Sequence, residues 1–88
     1  MKKFFKTMEN KEIQALHLLE KVVAEVLNRD DIKLEEGMSA PDIEGWDSLN
    51  HVQIIFYCEQ ELGVAFPVQE IQELNTIGDL LNLINKYL

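Results

Sequence analysis

Asp47, Ser48 and His51 fall within five consecutive positions and bring together the residue types of a hydrolytic triad. Their spacing argues against that chemistry. On a helix Ser48 and His51 stand one turn apart, and Asp47 lies beside the serine, where it cannot also orient the far side of the imidazole. The glycine-flanked turn that presents a nucleophilic serine is missing too, because Ser48 sits in Trp46-Asp47-Ser48-Leu49-Asn50. Another chemistry suits the serine better. At the start of a helix it lies beside unpaired backbone N–H groups and the positive end of the helix dipole, a setting that favours an attached phosphate. Taken alone, Asp47-Ser48 also reads as a plain N-cap, since both residue types accept hydrogen bonds from a first helical turn.

Other chemistries find little support. No glycine run precedes a Gly-Lys-Ser/Thr, so a Walker-type phosphate loop is excluded. The acidic stretch before Ser48 lacks the alternating ligands, central glycine and terminal glutamate of an EF-hand. Cys58 is the only cysteine, which rules out an internal disulfide or a cysteine-based metal site, and its position points to a small core residue.

The elements that must position Ser48 are helical. From Glu9 to about Asn28 the residues Ile13, Leu16, Leu19, Val22, Val23, Val26 and Leu27 are expected on one arc, opposite Gln14, His17, Lys21, Glu25 and Asn28. His17 is thus expected in solvent. A long connection then runs to Asp47. Gly37, Pro41 and Gly45 break regular structure in it, while Ile32, Leu34, Met38, Ile43 and Trp46 can pack it down. Its acidic residues, Glu35, Glu36, Asp42, Glu44 and Asp47, suit either a solvated surface or a docking surface for basic partners.

From Ser48 to Leu62 the pattern is helical again, with two apolar stripes. His51, Ile54, Ile55, Cys58 and Leu62 define a core-facing side, whereas Leu49, Val52 and Phe56 form a second stripe with Gln53 and Gln60 beside it. The second stripe fits either a partner-binding face or burial on two sides in a tight bundle, and spacing does not choose between them. Gly63 supplies a C-terminal stop. Pro67 opens a short third helix to about Glu73, with Ile71 and Leu74 inward. Thr76 and Asp79 form a capping box for a last helix in which Ile77, Leu80, Leu81, Ile84 and Leu88 share a face widened by Leu83 and Tyr87. The fold class that follows is all-α, a small four-helix bundle with a long loop between helices 1 and 2 and a short third helix.

The 88 residues suffice for one modest core, and 47% hydrophobic with 27% charged residues describes a folded soluble chain. Residues 1–8 show no clear period and are expected to be a flexible tail, leaving 9–88 as the single domain. The net charge of −8 is unevenly spread, since residues 1–11 hold four lysines against one glutamate. A body this acidic repels nucleic acid and anionic lipid. No signal peptide or membrane-spanning run is visible, so the cytoplasm is the expected location.

Gly45-Trp46-Asp47-Ser48-Leu49, the amphipathic run Val52 to Leu62, Gly63-Val64 and Asn75-Thr76-Ile77-Gly78-Asp79-Leu80 together resemble the acyl carrier and phosphopantetheine-binding carrier proteins. The likeness covers about residues 9–88 in its order of elements. It implies a bundle of acyl-carrier type that is not itself an enzyme. Ser48 would be esterified with 4'-phosphopantetheine by a phosphopantetheinyl transferase, using coenzyme A and magnesium, with Asp47 serving transferase recognition as well as the helix cap. An acyl- or aminoacyl-loading ligase or transferase would then charge the arm's thiol, and a downstream synthase or acyltransferase would use the thioester. The resemblance assigns Leu49, Val52, Gln53, Phe56 and Gln60 to partner binding and a monomer to the carrier, and it allows a short acyl chain to fold back between the helices. Fatty acid and polyketide biosynthesis are the settings it suggests. Carriers for fatty-acid synthesis usually bear acidic residues along the exposed side of this helix, however, where this chain has Gln53 and Gln60. That departure, and the string Trp46 to His51, look more like stand-alone carriers of specialised pathways. The alternative is a small helical adaptor with no prosthetic group, bound to partners through Leu49, Val52 and Phe56.

Overall fold

Apolar residues spaced by three and four wind four helices in this computed structural model, which describes the backbone from Lys2 to Leu88 and side chains from Glu12 onward. They are α1 (Lys2–Leu27), α2 (Ser48–Leu62), α3 (Val68–Gln72) and α4 (Ile77–Lys86), with a 3-10 turn at Ala40–Asp42 in the long α1–α2 connection. No strand occurs among the described residues. The all-α class, the long first loop and the short third helix are therefore as the sequence predicts. The backbone of α1 begins at Lys2, ahead of the expected start at Glu9 and within the tail expected over residues 1–8, whose side chains lie outside those described.

α1 packs against both α2 and α4. It contributes Ala15, Leu19, Val22 and Val23 to the core, α2 contributes Ile54, Ile55 and Cys58, and α4 contributes Ile77, Leu80, Leu83 and Ile84. Two expected core positions are corrected. Ile13 is exposed, because the buried line of α1 runs through Ala15 and Leu19, and Ile13 lies well round the helix from it. Leu88 is also exposed, since α4 ends at Lys86 and no longer carries the last residue along its inward face. His17 is in solvent, as expected.

The ends of α1 and α2 have distinct causes. α1 stops where Asn28 takes a left-handed φ of 57° and the Arg29 N–H donates back to the Ala24 carbonyl at 3.0 Å. At the end of α2, Gly63 adopts φ 68° and the Val64 N–H donates to the Glu59 carbonyl at 3.1 Å.

The long connection is held down rather than left in solvent. Leu34, Ile43 and Trp46 are buried, and the Glu20 carboxylate accepts the Leu34 N–H at 2.9 Å. Two of its carbonyls also cap α4: Met38 accepts the Ile77 N–H at 2.8 Å and Glu36 accepts the Gly78 N–H at 2.9 Å. A Cβ at position 78 would lie 3.1 Å from the Glu36 oxygen, so this approach requires glycine or a shift of the loop. Beside it the expected capping box forms. Thr76 Oγ1 accepts the Asp79 N–H, and Asp79 Oδ2 accepts the N–H groups of Thr76 and Asn75, at 3.0 to 3.1 Å. Those backbone donors, Asn75 before Thr76, stabilise the charged carboxylate and hold Asp79 below the usual carboxylate range.

Candidate functional site

The loop tied to α4 arrives at α2 through a tight, fully specified turn. Gly45 takes φ 92°, a left-handed conformation that favours glycine, and a Cβ there would meet the Leu27 side chain at 3.6 Å. Asp47 then caps α2, its Oδ1 accepting the Asn50 N–H at 2.8 Å. The cap assigned to Asp47 is thus present. Asn50 also reaches back over the turn, donating from Nδ2 to the Gly45 carbonyl at 2.7 Å.

Ser48 occupies the first helical position and is exposed to solvent. With the Asn50 N–H taken by Asp47, the N–H groups of Ser48 and Leu49 remain without a protein acceptor among the described residues. A serine hydroxyl flanked by two outward donors at the positive end of a helix fits a phosphate ester. The same geometry assembles no hydrolytic pair: the Nδ1 of His51 accepts the indole N–H of Trp46 at 3.0 Å, and no hydrogen bond joins His51 to Ser48 among the described residues.

That Trp46–His51 contact was not legible in the sequence. Trp46 is 8% exposed, and its ring, with His51, Ala40, Leu74, Thr76, Ile77 and Leu80, walls a cavity of about 60 Å3. A space of that size holds only a few atoms. An acyl chain would need the helices to part. A groove of about 470 Å3 runs between α1, the loop and α4, lined by Ala15, Leu16, Leu34 and Leu81 together with polar residues such as Glu12 and Asn85, and Ser48 is not among its lining residues.

The second apolar stripe of α2 faces outward. Leu49 is 67% exposed, Val52 64% and Phe56 52%, with Gln53 and Gln60 exposed beside them, so the stripe is not buried within the bundle. Tyr57 widens it and packs edge-on against Phe56. The two carboxylates of α2 are engaged within the domain: Glu61 pairs with Lys21 at 3.2 Å, and Glu59 accepts the Phe66 N–H at 2.7 Å. On the inner face Cys58 is fully enclosed, and burial first, then Glu61 and Glu59, pushes its thiol up to about 12. No cluster of potential metal ligands occurs among the described residues.

Comparison with known proteins decides the family. The model for the phosphopantetheine attachment site matches residues 17–84, most of the chain. The chain belongs to the acyl carrier and phosphopantetheine-binding carrier family. The solution structure of a holo acyl carrier protein from Geobacter metallireducens is 36% identical, with a TM-score of 0.76, over 83% of this chain and 84% of that one. A proposed acyl carrier protein from Mycobacterium tuberculosis shares the fold at 22% identity and a TM-score of 0.74, over 84% of this chain and 99% of the other. As a member of this family the carrier holds a covalent phosphopantetheine group, and the family as a whole works with phosphopantetheinyl transferases and synthases. No helix among the described residues is long and apolar enough to cross a membrane.

Proposed function

We propose that this carrier is modified on Ser48 and presents acyl or aminoacyl thioesters to the enzymes of a specialised biosynthetic pathway, without catalysing a step itself. The observation that carries the reading is Ser48 at the first position of α2, exposed and flanked by two free N–H donors. In the transferase reaction the Ser48 oxygen bonds to phosphorus, the P–O bond to the nucleotide part of coenzyme A breaks, and a base on the transferase takes the hydroxyl proton. The arm supplies a terminal thiol that holds the cargo as a thioester. Asp47 sets the helix start, and its charge is available to the transferase at the rim of the turn.

The specialised setting rests on the docking face. Leu49, Val52, Gln53, Phe56 and Gln60 present an uncharged surface, while Glu59 accepts the Phe66 N–H and Glu61 pairs with Lys21 at the surface beside it. A partner that reads this helix would gain from apolar contact more than from ion pairs, unlike one built to meet an acidic helix. Loading ligases, transferases and downstream synthases of that kind are the partners that fit.

Intact-mass spectrometry after incubation with coenzyme A and a broad-range phosphopantetheinyl transferase tests the assignment. The wild-type chain gains one phosphopantetheine mass and Ser48→Ala gains none. An unchanged wild-type mass, or uptake by Ser48→Ala, would overturn it; an unchanged mass is also what an adaptor without a prosthetic group would give.

A further inference from the structure

We propose that Trp46 and His51 are positioning residues for the modification of Ser48, an inference that rests on the assignment of Ser48 above. The argument begins with what the cap leaves undetermined. Asp47 fixes where α2 starts along its axis, through the Asn50 N–H at 2.8 Å. A cap does not fix how the first turn is rotated against the rest of the bundle. Rotation decides where the Ser48 side chain points, because each residue is set about 100° from the next.

Trp46 supplies that reference. Trp46 is 8% exposed, belongs to the same buried core cluster as Ile77 and Leu80, and faces them across the small cavity, so it is anchored to the start of α4. Its backbone is anchored too, the Trp46 N–H donating to the Ile43 carbonyl at 3.1 Å. From this fixed ring the indole N–H donates to His51 Nδ1 at 3.0 Å. His51 lies three residues beyond Ser48, on the neighbouring part of the same first turn. The bond therefore registers the turn that bears Ser48 against α4, and Asn50 reinforces it by reaching to the Gly45 carbonyl at 2.7 Å. Between Gly45 and His51, Ser48 and Leu49 alone have side chains outside these bonds and outside the core. An indole nitrogen only donates, so the bond also sets the imidazole tautomer, with the proton on Nε2.

The test compares variants that delete one atom's role at a time. Trp46→Phe keeps a ring and removes the donor; His51→Leu removes the acceptor; His51→Asn keeps an acceptor close to where Nδ1 stands. Each is loaded from coenzyme A by a broad-range phosphopantetheinyl transferase, with kcat and KM for the carrier measured separately. Trp46→Phe and His51→Leu are expected to lower kcat about fivefold or more with KM little changed, since the docking stripe is untouched, and His51→Asn is expected to recover most of the loss. The double variant Trp46→Phe/His51→Leu should be no worse than either single one. Trp46 is the sole tryptophan, so its emission in the His51 variants shows whether the ring stays buried, and melting temperatures show whether the domain stays folded. Wild-type kcat in both single variants overturns the proposal, as does a His51→Asn variant no better than His51→Leu, or an effect confined to KM. A wild-type chain that takes up no group would instead remove the Ser48 assignment, and this inference with it.

Discussion

The Glu59 carboxylate accepts the backbone N–H of Phe66 at 2.7 Å, joining the last turn of α2 to the segment that leads into α3. Phe66 is buried and its ring meets Tyr87 at a centroid distance of 5.6 Å, so the bond fixes a stretch of chain that closes one end of the bundle. Glu59→Ala leaves that N–H without its charged acceptor. The expected loss is about 1–3 kcal/mol in urea unfolding, with Glu59→Gln losing less because it keeps an oxygen. An unchanged unfolding midpoint for Glu59→Ala would show that the bond contributes nothing net.

Phe56 and its neighbour Ile55 offer a test that separates the proposed docking role from a role in folding. Phe56 is 52% exposed and Ile55 only 6%. Phe56→Glu is expected to slow partner-dependent loading by about tenfold or more, while stability changes by roughly 0.5 kcal/mol, as for surface substitutions. Ile55→Ala should do the reverse and cost about 2–5 kcal/mol of stability through the cavity it leaves. A large fall in melting temperature for Phe56→Glu would place Phe56 in the core instead.

Asp79 gives a pH dependence whose sign is set by its hydrogen bonds. Its folded pKa is lowered, chiefly by the Asn75 and Thr76 N–H donors, relative to an unfolded value of about 3.9. The stabilisation is therefore complete above about pH 4 and is lost as the pH falls through the folded value. In urea titrations the difference between wild type and Asp79→Asn should be constant near neutrality and shrink under acid conditions. A difference that grows on acidification would contradict the cap.

How far the site could be read from sequence follows from the range of its contacts. The bounds of α2, the Asp47 cap, the Gly63 stop and the Thr76–Asp79 box depend on residues within four positions of each other, where spacing carries the geometry. The outward stripe was visible as a pattern, but its exposure depends on the other helices, and spacing left it undecided. Trp46 to His51 was missed for a related reason. The two residues are five apart, straddling a loop and a helix, and the loop's path is set by distant ties such as Glu20 to Leu34 and Met38 to Ile77. The misplaced Ile13 shows the same limit on a single helix, where a broad apolar arc does not say which line meets the neighbours.

The enclosure of Cys58, with its thiol pushed up to about 12, bears on the cargo more than on the fold. At neutral pH the folded chain offers no thiolate of its own to an electrophile or a disulfide. The terminal sulfur of a phosphopantetheine arm then has no rival within the molecule: an acyl group on it has no cysteine of the same chain to migrate to, and a thiol reagent added to the native protein reads the loading state of the arm alone.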